Sequence, residues 1–189
     1  MRLCLAPWES GFVVLTDGMN ESLPARTYGL PERTAELRGW NVSFLLPDTT
    51  VAVRMEAPVS WTELDDPRLR FHSGTAVYDN RFAMPEVHSG ERVYLRVSGL
   101  EAVSEVVVNG RRAGLIWCAP WEVEITDLLS DNSDNILSIR VANQLTNRMV
   151  GDLSLPEGER STYATFPIVK EGDELLPAGI TGSVCLVVR

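Results

Sequence analysis

Two groups of acidic residues stand close enough along the chain to act together: Asp65 with Asp66, and Glu171 with Asp173 and Glu174. Two carboxyl groups ~5–9.5 Å apart across a cleft can open an acetal by acid–base or nucleophilic attack. Both groups, however, fall in polar, turn-rich stretches beside Pro67 or Gly172, and no neighbouring sequence signals a raised carboxyl pKa. His72 and His88 have no Cys or acidic partner at metal-ligand spacing, so neither suggests a metal site or a base. Cys4, Cys118 and Cys185 are widely separated and odd in number, which suggests neither a disulfide framework nor zinc. Asp127, Asp131 and Asp134 crowd one turn without an ordered calcium-loop pattern and read as solvated turn residues; no cofactor is expected, and structural calcium lacks support.

Recognition of a polar ring is the other chemistry these side chains could do. A pyranose lays its C–H face on an aromatic platform and needs fixed donors and acceptors for its hydroxyls. Trp61, Trp117, Trp121 and Tyr163 are the candidate platforms; Asn109, Asn143, Asn147 and Arg148 are the candidate polar partners. Each has a structural alternative. Trp117 and Trp121 would pack the rim of a β-sandwich. The run Asn143–Asp152 (NQLTNRMVGD) would pin a strand-to-loop crossover, with Arg148 paired to a carboxylate such as Asp152.

The elements that must position these residues are strands. Asn109-Gly110 lies between two apolar runs and predicts a hairpin, since both residues tolerate the positive φ of a primed turn. Alternating apolar and polar residues predict further strands over 42–46, 51–55, 75–82, 93–97, 121–126, 137–141 and 184–188. A long loop is expected over 57–74, and a broken, Gly- and Pro-rich connection over 144–182, with no amphipathic helix. Eight or nine short strands with long crossovers imply an all-β fold, a Greek-key or jelly-roll sandwich. Residues 1–18 read as a hairpin, 19–39 as a linker or irregular wrap, and 40–189 as the sandwich.

At 189 residues the chain can bury a core without staples. Its formal net charge of −9 disfavours nucleic acid and anionic membrane, which both select a basic stripe. Lys170 is the single lysine; the remaining basic charge is arginine. No apolar run reaches the ~20 residues of a membrane span, and MRLCLAPW lacks the core of a signal peptide, so an export signal would belong to a longer parent.

The segments Ser73–Tyr78, Val106–Leu129 (VVVNGRRAGLIWCAPWEVEITDLL) and Ile136–Asp152 (ILSIRVANQLTNRMVGD) together resemble the sugar-binding β-sandwich of family 2 glycoside hydrolases. The similarity runs over residues 40–189 and is nearest to the copy close to the carboxyl end of bacterial α-L-rhamnosidase-like enzymes. Such a resemblance implies a galactose-binding-domain-like jelly roll and an accessory role, with the catalytic carboxylates in another domain of the parent. It therefore transfers no catalytic residue to this chain. It also implies a periplasmic or extracellular parent whose catalytic domain this module would buttress, with carbohydrate contact as a further expectation. The alternatives are an autonomous carbohydrate-binding module and a small stand-alone glycoside hydrolase. The 1–18 hairpin resembles the closing strands of a preceding domain, and its apolar face could also pair two copies of the chain.

Overall fold

A computed structural model describes residues 32–131, 134–166 and 168–189. Ten strands occur among them: β1 (Arg33–Glu36), β2 (Trp40–Leu45), β3 (Thr50–Met55), β4 (Thr75–Phe82), β5 (Val93–Val97), β6 (Val103–Val108), β7 (Arg111–Ile116), β8 (Glu122–Glu124), β9 (Asn135–Ala142) and β10 (Val184–Val188). They form two antiparallel sheets, ordered β3-β2-β4-β9-β6-β7 and β1-β10-β5-β8. The result is an all-β sandwich.

Period 2 explains which side chains meet in the middle. Trp40, Val42 and Phe44 of β2, Ala76 and Tyr78 of β4, and Leu137, Ile139 and Val141 of β9 all point inward and are buried. Val93, Leu95 and Val97 of β5, with Val184, Leu186 and Val188 of β10, cover them from the second sheet. The hairpin turn is as the sequence predicts: Asn109 and Gly110 take φ of 51° and 75° between β6 and β7.

Three departures have physical reasons. Arg33–Glu36, inside the stretch expected to be a linker or wrap, are the edge strand β1 on β10; four mostly exposed edge residues carry no alternation to read. The loop 57–74 contains a 3₁₀ turn at Trp61–Glu63 and a short helix, α1 (Pro67–Arg70). Asp66 caps α1 by accepting from Arg68 N at 2.9 Å, and Pro67 is preset for a first helical position. A second helix, α2 (Thr146–Leu153), corrects the expectation of no helix in the last crossover. Its buried residues are Asn147, Gly151 and Asp152; the apolar stripe of Met149, Val150 and Leu153 is short and only partly buried, so it passes for the interrupted apolar pieces of a loop. The 1–18 hairpin and residues 19–31 lie outside the described residues.

Trp61 ties loop, sheet and last crossover together. Its ring is wholly buried, edge-on to Phe44 at 5.2 Å, and its indole N–H donates to Tyr78 Oη at 2.6 Å. Trp61 N donates to Ala178 O, and Ala178 N donates to Ser60 Oγ. Gly179 crosses directly over the indole at φ 79°, and a Cβ there would stand 2.1 Å from Trp61 Nε1. Only glycine fits both the backbone angle and the approach.

A charged network lies on the outer side of the smaller sheet. Arg96 bonds Glu32 at 2.9 and 3.0 Å and Glu122 at 2.9 and 3.0 Å, while Arg189 bonds Glu32 at 2.7 Å and also Glu122. The Arg189 guanidinium stacks 4.2 Å above Tyr94. Hydrogen bonds from Arg96 chiefly, with a further contribution from Arg189, pull the Glu32 pKa from an ordinary 4.5 to about 2, against the opposing effect of burial.

Two outcomes follow. Gly179→Ala is expected to destabilise the fold by about 2–4 kcal/mol, from a strained φ plus overpacking, read as a lower urea midpoint at unchanged slope. Because Glu32 is more acidic in the folded chain, its contribution is present above about pH 4.5 and is lost as pH falls towards 2. Glu32→Gln should therefore flatten the pH dependence of the urea midpoint between pH 5 and 2, and an unchanged profile would refute the clamp.

Candidate functional site

Six of the side chains with candidate chemistry converge at the end of the sandwich where the loop 57–74, α2 and the segment 174–181 meet: Trp61, His72, Asn143, Asn147, Arg148 and Asp152. His72 is buried beside Phe44 and Trp61, with ring centroids at 5.8 and 5.5 Å. Burial lowers its pKa, the Arg148 charge adds to that, and the bond to Thr75 O opposes it. Asn143 Nδ2 donates to His72 O at 3.3 Å and its own N–H to Gly74 O at 2.9 Å. Asn147 clips residue 176 from both sides, donating to Leu176 O at 2.7 Å and accepting from Leu176 N at 2.9 Å.

Asp152 is the hub of this end. Its Oδ2 accepts from Ser161 N (2.8 Å), Ser161 Oγ (3.1 Å), Thr162 N (2.7 Å) and Thr162 Oγ1 (2.8 Å). Arg148 Nε lies 3.0 Å from Oδ1 but aims its N–H at Ser161 Oγ, 2.7 Å away. Burial opposes the charge on Asp152, yet the bonds from Thr162 and Ser161 outweigh it and hold the pKa below the usual carboxylate range. Asn143 Oδ1 and Asp152 Oδ1 are buried and accept no hydrogen bond among the described residues. The geometry is that of a loop anchor: the side chains are aimed at backbone and at one another.

The remaining candidates are scattered. Asn109 is used up by its own turn, donating to Leu128 O and Asn135 Oδ1 at 2.8 Å each and accepting from Ile136 N at 2.9 Å. Trp121 packs part-buried against the core at φ 58°. Trp117 is 65% exposed and Tyr163 90% exposed, so the rim-packing alternative holds for Trp121 and not for Trp117. Trp61 is no surface platform. Exposing it would forfeit about 3–5 kcal/mol of packing, against the ~0.5–1.5 kcal/mol a stacked ring returns.

The acids are placed as turn residues. Asp66 caps α1 and pairs with Arg68 at 2.7 Å, Asp173 accepts from Lys170 N at 2.7 Å, and Asp65, Glu171 and Glu174 are exposed. Among the described residues no cluster of three His, Cys, Asp or Glu side chains could hold a metal ion. Sequence reasoning missed a groove of about 540 Å³ between the edge strands β7 and β8, lined by Arg92, Tyr94, Arg111, Arg112, Glu124 and Asp127 among others. Its only signal in the sequence is the Arg111-Arg112 pair straight after the turn.

Asp152→Ala is expected to destabilise the chain by about 2–4 kcal/mol, since it strands two backbone and two hydroxyl donors. It should also speed amide exchange at Ser161 and Thr162 before other amides. Uniform acceleration would argue against a local anchor.

Comparison with known proteins places this geometry. The family described as glycosyl hydrolase 2 galactose-binding domain-like matches residues 55–161. A Formosa agariphila protein named "Putative beta-glucuronidase" is 26% identical over 171 residues, covering 77% of this chain and 15% of that protein. A rhamnosidase from Novosphingobium sp. PP1Y superposes with a TM-score of 0.76 at 27% identity, covering 87% of this chain and 16% of the enzyme. A β-D-glucuronidase from Dictyoglomus thermophilum shares the fold, with a TM-score of 0.58 at 21% identity, 86% of this chain and 29% of that one. These relatives are glycoside hydrolases, and the chain spans less than a third of the length of each. With more than half of its residues inside the match, this chain belongs to the glycosyl hydrolase 2 galactose-binding domain-like family.

Proposed function

We propose that this chain is a non-catalytic β-sandwich module of a larger, rhamnosidase-like glycoside hydrolase, where it buttresses the catalytic domain. The observation that supports this most is coverage: the module aligns along most of its own length with about one sixth of the Novosphingobium rhamnosidase. The local chemistry agrees with that reading. The polar residues at the crossover hold loops, and the clustered acids cap turns or face solvent rather than a shared cleft.

A module that braces a neighbour needs an apolar surface to present to it. Tyr163, Phe166 and Ile168 are 90, 76 and 70% exposed on one segment held at its base by Asp152. Large rings left in water on an anchored segment fit a docking face for the rest of the parent enzyme. The exposed Trp117 favours a second reading, in which that rim adds a carbohydrate contact.

The folded chain alone should show no turnover of aryl rhamnosides, glucuronides or galactosides. Activity abolished by Asp65→Asn or Asp66→Asn would overturn the proposal. In the parent-length enzyme, Phe166→Ser with Ile168→Ser should lower the melting temperature by about 4 °C or more while shifting that of the isolated module by about 1 °C or less. Equal shifts would place those side chains in the module's own stability.

A further inference from the structure

We infer that the groove between β7 and β8 binds a sugar acid through its carboxylate, with Arg111 as the anchoring guanidinium. The two strands are the outermost members of their sheets on one side of the sandwich, so the groove runs along its open seam. At one point the edges close. A Cβ at Gly114 would lie 3.0 Å from Val123 Cγ2, and only a glycine lets β7 come this near β8 without displacing that valine. From that contact the seam widens towards the start of β7, where the arginines stand.

Three guanidinium groups line one groove of a chain whose net charge is −9. They are not equally neutralised. Arg92 pairs with Glu124 at 3.0 Å, and Arg112 with Glu105 at 2.7 Å. Arg111 is held by a carbonyl instead, donating one N–H to Asp127 O at 3.0 Å. Among the described residues it has no carboxylate partner. A guanidinium oriented by a backbone oxygen and in no ion pair among the described residues, although the Glu124 and Asp127 carboxylates line the same groove, suits a planar carboxylate that can take two parallel hydrogen bonds.

The rest of the lining suits a ring bearing hydroxyls. Tyr94, Ala113 and Leu128 supply short apolar surface, while Glu124, Asp127 and Thr126 offer acceptors to hydroxyl donors. A volume of about 540 Å³ falls within the usual size of a small-molecule site. A long polyanion is disfavoured, because the overall negative charge repels it at a distance. The inference rests on the chain being part of a saccharide-acting protein, but it does not depend on how the module docks.

The test is calorimetric titration of the isolated chain at 50 mM NaCl with a galacturonic acid trisaccharide, a sulfated neutral trisaccharide and an uncharged trisaccharide. Saturable binding of the uronate alone is expected. Arg111→Ala should weaken it at least tenfold, whereas Arg54→Ala on β3, the opposite edge of the larger sheet, should leave it unchanged. Raising NaCl to 300 mM should weaken binding several-fold. No saturable uronate binding by a chain with native circular dichroism would overturn the inference. Equal binding of the sulfated or uncharged sugar, or affinity indifferent to Arg111→Ala, would do the same. Each of these failures leaves the buttressing role standing, because that role is read from activity and melting of the parent enzyme.

Discussion

The burial of Trp61 beneath Gly179 is the contact on which the rest of this end of the molecule depends. One indole joins three stretches: the 57–74 loop that carries it, β4 directly after that loop through the Tyr78 hydroxyl, and, far on in sequence, the last crossover through Ala178 and Gly179. Truncating a buried ring of this size costs about 3–5 kcal/mol, a large share of what stabilises a domain. The indole N–H must find an acceptor in an apolar interior, and Tyr78 Oη, on an adjacent central strand, supplies it. His72, its pKa lowered chiefly by burial, packs beside the ring and closes the loop behind it.

Around this anchor the polar residues work in layers. Asn147 fixes residue 176, just before the glycine crosses the indole, and Asp152 fixes 161–162 at the far end of the same excursion. A connection of some forty residues is thereby held at both ends without a strand of its own. At the other side of the sandwich, arginine does the comparable work. Arg96 and Arg189 bind the Glu32 and Glu122 carboxylates across the smaller sheet, with planar forks that an ammonium could not supply. Lysine is nearly absent from the chain, which is consistent with basic charge placed for geometry as well as for solubility.

Period 2 made the sheets readable. Tyr78, Leu95, Ile139 and Val184 alternate with polar neighbours, and Asn109-Gly110 marks its own turn, so strands and fold class follow from pattern. What stayed hidden had only a short or misleading pattern. Helix α2 carries Met149, Val150 and Leu153 at helical spacing over barely two turns, yet it buries Asn147, Gly151 and Asp152. Edge strand β1 is paired on one side and wetted on most of its residues. At the crossover the sequence pairs Arg148 with Asp152 and favours a pinned strand-to-loop connection over a ligand contact, and the structure brings that pair together. That distinction lies in where hydrogen bonds point. Trp61 and Trp117 look alike in sequence; one is sealed in the core and the other stands in solvent, because the first lies under a glycine whose approach only folding reveals.

Asn109 ends up bearing on how the molecule ages. An asparagine followed by glycine is prone to cyclise, its side-chain carbonyl carbon being attacked by the next backbone nitrogen to give an imide and then isoaspartate. Here the carboxamide is held away from that reaction by three bonds, two donated and one accepted, that reach Leu128, Asn135 and Ile136. The positive φ that closes the hairpin is kept by the same contacts that withhold the electrophile. The turn that joins β6 to β7 is thus protected chemically for as long as it is folded, and an isoaspartate at Asn109 would be a record of time spent unfolded.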